Sequence, residues 1–410
     1  MDQLVEARPV ALRRGSRLPL SPHAGEGLLT GGSNIIERLW LHDFRSYADA
    51  EVELSAGFTV LRGDNGHGKT NLIEAIGALA HLGSFRGAPT DAMVRHGASC
   101  AVVRSLGRYD GREILIEARF PVTGSPTALV NRQRVNRRRD LSEALTVTVF
   151  SPVDLEIVQA GPALRRDFVD RLLCDLHPRN DSVLTEFHKV LRQRNALLKQ
   201  LGGRLDADAA ITLDVWDQRL ASVGDRLGSL RAKAVELLIP LVDDAYRIVA
   251  GTRARESVSV RIHSAWWPDA LEGRLAAARD DDVRRGVSTV GPHRDDLEMR
   301  IEGLPARTHA SQGEQRSLVL ALRLAAHRLV TEARGVAPVL LLDDVFSELD
   351  EHRARALVDA LPPGQRLVTT ATTLPEGMSP DAELVVHSFP QPGDNGTRAL
   401  SVLDHRVVDG

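Results

Sequence analysis

Lysine is nearly absent from this chain. Of its 52 basic residues only Lys69, Lys189, Lys199 and Lys233 are lysine. Arginine stands almost everywhere else, so a retained lysine is a candidate for a task that a planar guanidinium performs badly. Cysteine is scarcer still. Cys100 and Cys174 lack metal-ligand spacing, which argues against a disulfide framework or a zinc site and suits a reducing cytoplasm. Aromatics make up 4% of the residues and do not interleave with basic ones, so single-strand binding by base stacking is not indicated. No apolar run approaches the roughly 20 residues needed to cross a bilayer. An excess of positive charge is missing too. The net charge is −3, so any contact with nucleic acid must come from a local patch.

What is present is ordinary for a soluble globular protein: 410 residues, 43% apolar and 26% charged, enough for two or three domain-sized units. Residues 1–33 carry Arg13, Arg14, Arg17, several prolines and Gly31-Gly32, without the apolar core of a signal peptide. They read as a disordered leader. From Ile35 the pattern becomes strand-like, through Ile36, Leu39, Leu41, Val52 and Leu54, and Phe58-Thr59-Val60-Leu61 reads as a short buried strand. Further strands are expected at 101–106, 113–120 and 145–150. Residues 162–249 carry a helical signal. Its strongest part is Leu220, Val223, Leu227, Leu230, Ala234, Leu237 and Leu241, spaced 3-4-3-4. That spacing fits a coiled-coil arm or one helix of a compact bundle, with the bundle favoured, and Pro240 marks an expected bend. A helix is expected from 312 to 334, a fully buried strand at Val339-Leu340-Leu341-Leu342, and another strand at Leu367 to Thr370.

Three segments carry chemistry. Gly63-Asp64-Asn65-Gly66-His67-Gly68-Lys69-Thr70 has the spacing G-x-x-x-x-G-K-[ST], between a strand and the helix opened by Asn71. Glycines let the backbone wrap a phosphate chain with its N–H groups turned inward, and the helix adds its positive end. Lys69 supplies a compact charge to the β and γ phosphates, and Thr70 offers a hydroxyl to Mg²⁺. The second segment is Leu340-Leu341-Leu342-Asp343-Asp344. A buried strand ending in carboxylates would set Asp343 beside the magnesium, with Asp344 able to orient or deprotonate an attacking water. The third is Ser311-Gln312-Gly313-Glu314-Gln315. It reads as a helix-opening capping box, and the same serine-led N-terminus is also an anion site.

Together the three segments resemble an ABC-type ATPase, with a phosphate loop, a signature and a carboxylate strand. The 242 residues from Lys69 to Ser311 are too many for a compact transporter motor and too few for long SMC arms. The resemblance narrows to the RecF family of the SMC/Rad50-like branch, over about Ile35 to His387. It rests on Leu41 to Tyr47, Gly63 to Asn71, Phe150 to Leu155, Arg165 to Asp170, Gln193 to Lys199, Gly291 to Asp296, Ser311 to Arg316 and Leu342 to Asp350.

The resemblance implies an α/β ABC-type head with mixed sheets around the phosphate loop and a helical insertion lobe. Its parts would be the leader 1–33, head 34–151, lobe 152–256, head 257–390 and a tail 391–410. It also implies that Arg45 reaches the phosphates, that Ser347 to Asp350 form a D-loop crossing a dimer interface with Asp350 near the nucleotide, and that a threonine around Thr370 holds the switch position. The glutamine of a Q-loop has no match near Phe150-Ser151-Pro152. Arg45 as a surface cation, Arg165-Arg166 as a solvated helix end and Gly291 to Asp296 as a structural turn remain open. Arg132, Arg134, Arg137, Arg138 and Arg139 place five charges in eight residues, either a solvated loop or an edge for DNA phosphates.

The implied activity is a weak DNA-dependent ATPase. ATP and Mg²⁺ would join two copies of the chain on gapped or double-stranded DNA without sequence preference, slow hydrolysis would release them, and RecR, RecO and RecA loading would be served. The alternatives are an ABC-type ATPase of another DNA-maintenance system, a transporter motor, or a clamp that scarcely turns ATP over.

Overall fold

The computed structural model describes residues 34–135, 138–251, 257–390 and 399–407. The expected leader, Arg137 and parts of the expected tail lie outside them. The chain opens with an antiparallel sheet ordered β2-β1-β4-β5-β6-β7. Its strands are β1 (Asn34–Phe44), β2 (Tyr47–Glu53), β4 (Cys100–Tyr109), β5 (Arg112–Pro121), β6 (Thr127–Val130) and β7 (Gln133–Val135). Between β2 and β4 run β3 (Phe58–Arg62), α1 (Lys69–His81) and α2 (Thr90–Met93). Then come α3 (Arg138–Ala144) and β8 (Val147–Phe150).

The middle of the chain is helical, as its periodicity requires: α4 (Glu156–Gln159), α5 (Pro162–Leu176), α6 (Asp181–Leu201) and α7 (Ala207–Ala250). At 44 residues, α7 spans about 66 Å at 1.5 Å per residue. It packs on α5 and α6, and on α8 (Leu271–Arg285), α10 (Gln312–Arg334) and α11 (Glu351–Ala360) of the same chain. The bundle reading therefore holds over the coiled-coil arm. The heptad seam also breaks. Leu220, Leu227 and Ala234 are buried, but Leu237 is 48% exposed, and the buried face passes to Val235, Leu238, Val242, Tyr246 and Val249. A straight helix turns every 3.6 residues, so a 3.5-residue stripe drifts off its contact face. Pro240 lies on the exposed side, and the helix runs through it to Ala250.

The lobe extends past the expected boundary at 256. Strands β9 (Val258–His263), β10 (Asp296–Ile301) and β11 (Leu304–Pro305) form their own small sheet. Val260, Leu297, Met299 and Ile301 share a core with α5, α6, α7 and α10. The short α9 (Ala306–His309) then leads into α10. Part of the expected tail is also built into the head: β15 (Ala399–Val407) pairs antiparallel with β14 (Ala382–Pro390).

The glycine loop of residues 63–68 leaves the sheet β15-β14-β3-β13-β12-β8, completed by β12 (Val339–Asp343) and β13 (Arg366–Thr370). Strands β14, β3, β13, β12 and β8 are parallel neighbours. Both sheet faces are covered, which is why the β12 sequence shows no polar alternation. Leu340 and Leu342 enter the core shared with the helical lobe, while Val339 and Leu341 enter the core with α1 and the antiparallel sheet. His327 of α10 is 1% exposed and pairs through Nδ1 with the Thr148 hydroxyl at 3.1 Å.

Burial holds the His327 pKa down at about 4, against the usual 6.5. Between those values the unfolded chain takes up a proton that the folded chain refuses. The stability contributed by the neutral ring is thus full above about pH 6.5 and is lost as pH falls through about 4. The advantage of the parent chain over His327→Gln should narrow by up to about 3 kcal/mol between pH 7 and pH 4. Denaturant titrations across that range check this, and a gap that stays constant or widens on acidification contradicts it.

Candidate functional site

The three chemical segments sit at the ends of elements that the sheet holds in register. β3 delivers Gly63 to Gly68 at its C-terminal end, and α1 begins at Lys69. Gly63, Gly66 and Gly68 have φ of 153°, 84° and 105°, a region closed to most side chains. At Gly63 a Cβ would also lie 2.4 Å from Val386 O, so the loop needs glycine both for its conformation and for close approach to β14. Asp64, Asn65 and Gly66 are exposed at the crest, and the His67 ring lies 3.1 Å through Nδ1 from Val386 O. Lys69 is buried, and its Nζ donates to Gly63 O at 2.7 Å and Asp64 O at 2.9 Å. Burial lowers its pKa, and Asp344, Asp343 and Asp64 oppose that shift.

Parallel register brings the carboxylates to the loop. Leu61 pairs with Thr369 across β3 and β13, and Thr369 pairs with Asp343 across β13 and β12. The Thr70 hydroxyl donates to Asp343 Oδ1 at 2.8 Å, and the Thr369 hydroxyl donates to the same oxygen at 2.9 Å. Thr369 Oγ1 also accepts from the Asp344 amide at 2.8 Å. Burial raises the Asp343 pKa, and the two hydroxyls and Arg86 counter it. Asp344 adopts φ 49°, ψ 29°, a strained conformation for an aspartate. Its Oδ1 is buried with no hydrogen-bond partner among the described residues. The hydroxyl and carboxylate donor set suits Mg²⁺, which takes few protein ligands and fills its shell with phosphate and water.

Sequence placed a threonine around Thr370 at this point, and the one that meets the carboxylates is Thr369. The expected threonine, Thr370, points away along the alternating strand and bonds locally with Thr372. Arg45 is also placed differently from expectation. Its Nε and Nη2 donate to Glu74 at 2.8 and 2.7 Å, and Nη1 donates to Ala92 O at 2.7 Å. Glu74 is fully buried on α1, and a buried carboxylate requires such a cation. The neighbours follow suit. Ser46 Oγ accepts from Asn71 Nδ2 at 2.8 Å, and the Tyr47 hydroxyl donates to Gly68 O at 3.1 Å. Consecutive residues 45, 46 and 47 thus grip α1 at 74, 71 and 68, spaced along one helix face.

The signature segment is fastened to later parts of its own chain. Ser311 and Gln312 are exposed, and Ser311 caps α10 in a full capping box with Glu314. Gln315 donates to Ala306 O at 3.1 Å and accepts from Gln159 at 2.8 Å. Gly313 leaves room for Arg353, whose guanidinium would be 2.9 Å from a Cβ there. Arg353 bonds Ser317 and Asp350, and Arg316 bonds Glu348. Signature and 347–350 turn are therefore one fastened unit. Asp350 caps α11, and the Arg353 amide it accepts from lowers its pKa.

The two motifs left without a role in sequence are fasteners. Arg165 is buried and bidentate to Asp296 at 2.6 and 3.0 Å, and Arg166 donates to Asp295 O at 2.8 Å. Arg231 of α7 joins Asp170 and Pro292 O. Gly291 to Asp296 is thus the turn that ties α5 and α7 together, and Arg165-Arg166 is not a solvated helix end. Of the basic run, Arg132 and Arg134 lie on a hairpin, and Arg138 and Arg139 open α3. Asn131 and Arg132 have φ of 50° and 67° between β6 and β7, as a two-residue turn requires. Arg132 and Arg134 are exposed, while Arg139 is half-buried beside Asp140.

A glycine loop between buried strand and helix, carboxylates at the C-terminal ends of parallel strands and a serine-capped helix packed on α7 define an ATPase head of the SMC kind. Residues 35–392 match the RecF/RecN/SMC N terminal domain family. The DNA replication and repair protein RecF of Frankia alni is 43% identical over 351 residues, 82% of this chain and 93% of that protein. RecF of Streptomyces avermitilis is 42% identical over 349 residues, again 82% and 93% of the two chains. The solved recombination mediator protein RecF-ATP in the RecFOR pathway matches with a TM-score of 0.82 at 26% identity, over 94% of this chain and 100% of that one. An Smc head bound to the C-terminal winged-helix domain of ScpA shares the fold at a TM-score of 0.53 and 16% identity, over 91% and 98%. The chain belongs to the RecF family of DNA replication and repair proteins.

Thr369→Val keeps the shape but leaves the half-buried Asp344 amide without its acceptor, a loss of about 1 kcal/mol or somewhat more. Thr369→Ser should stay close to the parent. Unfolding midpoints of the three chains test this, and a valine variant as stable as the parent contradicts it.

Proposed function

We propose that this chain is an ATP-driven DNA clamp of replication and recombinational repair, acting in the cytoplasm, in which two copies grip ATP from opposite sides. One observation carries the reading. A single chain presents both halves of a nucleotide grip, yet the helix opened by exposed Ser311 and Gln312 is fastened through Arg316, Ser317 and Arg353 to its own 347–350 turn. In the proposed dimer Gly63 to Gly68, Lys69 and Asn71 cradle the phosphates of one nucleotide. Ser311 to Glu314 and Asp350 approach it from the partner. Thr70 and Asp343 hold Mg²⁺, which neutralises phosphate charge. Asp344 takes the proton of the attacking water, and its unpartnered buried oxygen suits that task.

The relative described as RecF-ATP belongs to the RecFOR pathway, which supports ATP here and RecO and RecR as partners, with RecA loading as the outcome. DNA binds through exposed arginines such as Arg132 and Arg134, by counterion release rather than base reading. Hydrolysis is slow and DNA-dependent, and it separates the heads.

Sedimentation of the parent chain with ATP and Mg²⁺ should show a dimer that Ser311→Arg abolishes and Asp344→Asn prolongs. A parent that stays monomeric with ATP and Mg²⁺ overturns the clamp. Arg134→Ala should weaken binding to unrelated duplexes equally and lower the salt slope by about 1. A loss confined to one sequence contradicts backbone binding.

A further inference from the structure

The segment Gln193 to Lys199 takes no part in the nucleotide grip, and it lies on α6. The inner face of this helix is locked. Arg194 is fully buried and reaches Asp217 at 2.6 Å, Asp282 at 2.7 Å and Ser288 at 2.8 Å, with Leu191 and Leu198 buried on the same face. The outer face differs. Lys189, Arg192 and Lys199 are exposed, and their spacing sets them within one arc of about 80° on the helix. Two of the chain's four lysines therefore stand here. None of the three cations has an ion-pair partner among the described residues, and residues 187–205 contain no aspartate or glutamate. Other helices of the chain answer their outer cations with a carboxylate one turn away: Arg247 with Asp243 on α7, Arg328 with Glu332 on α10, Arg355 with Glu351 on α11. Such mixed pairs are the usual form of a solvated face. The α6 face instead carries uncompensated charge of one sign.

We propose that this stripe of α6 is a docking surface for the sugar-phosphate backbone of duplex DNA. Lys189 and Lys199 lie about 15 Å apart along the axis at 1.5 Å per residue, a length over which a duplex presents about nine negative charges. Lysine suits the contact, because a point charge with rotatable donors takes a phosphate from any direction and needs no bidentate geometry. No large apolar side chain is exposed between Thr185 and Gln200. The stripe thus lacks the anchor that a protein partner would bury, and lacks a ring on which bases would stack. The Arg194 ion pairs fix the roll of α6, so the cations are presented in one orientation. Contacts also run in series from the head: β7 carries Arg134 and touches α3, and α3 touches the 178–180 turn, with exposed Arg179, that opens α6. The inference rests on the reading of the chain as a DNA clamp and adds a surface on the lobe to the hairpin of the head.

Binding of two unrelated duplexes, followed by fluorescence anisotropy with ATP and Mg²⁺ over a range of NaCl concentrations, tests it. The triple variant Lys189→Ala, Arg192→Ala, Lys199→Ala should lower the salt slope by about 2–3 and weaken both duplexes equally. Its unfolding midpoint should match the parent, since the three side chains are exposed and alanine favours helix. Lys189→Arg combined with Lys199→Arg keeps the charges and should keep the parent slope. A triple variant with the parent slope overturns the proposal. So does a double arginine variant that loses slope, or a loss confined to one duplex. Arg134→Ala separates this failure from failure of the clamp. If that change lowers the slope and the triple variant does not, the clamp stands and the α6 surface falls. A parent that binds neither duplex removes both.

Discussion

One threonine hydroxyl joins the parts of the candidate site. Thr369 Oγ1 donates to Asp343 and accepts from the Asp344 backbone, so it fixes both carboxylate positions at once. It can do so because β13 lies between β3 and β12 in parallel register. The same register sets Thr70 within 2.8 Å of Asp343. Shifting a strand by one residue would turn Thr369 to the opposite face and break the link. The sheet is thus the ruler that measures the phosphate loop against the carboxylates, and its burial on both sides keeps that ruler rigid.

Around this edge, arginine performs most of the fastening. Arg45 holds the β1–β2 turn to α1 through buried Glu74, Arg165 and Arg231 close the lobe around the 291–296 turn, and Arg316 and Arg353 bind the signature helix to the turn after β12. Each uses the forked guanidinium to reach two acceptors, a geometry that lysine cannot copy. The scarcity of lysine is then intelligible residue by residue. Lys69 sits where a point charge on a flexible stem must fold into a narrow backbone loop, with two carbonyls of that loop as its acceptors.

Several site features were legible in the sequence because they are local. The phosphate loop needs glycines at fixed offsets, and the capping box of Ser311 and Glu314 is written within four residues. The buried β12 strand announces itself by an unbroken apolar run. Arg45, Thr369 and Gly291 to Asp296 were not legible in this way, because their roles depend on partners far along the chain: Glu74, Asp343, and Arg165, Arg166 and Arg231. Motif resemblance marked Arg45 for the phosphates. Only packing revealed that a fully buried carboxylate claims its guanidinium.

The α7 seam teaches the same lesson about helices. A 3-4 repeat fits both an arm and a bundle, and the choice turns on whether other elements of the chain cover the stripe. The sequence alone determined what short-range chemistry dictates: the loop, its lysine, the carboxylate strand, the serine-led helix and the order in which they occur. Tertiary structure decided which of these meet. The register of parallel strands and the pairing of buried charges join residues 26, 29, 61 or 131 positions apart on different elements, and no local pattern encodes them.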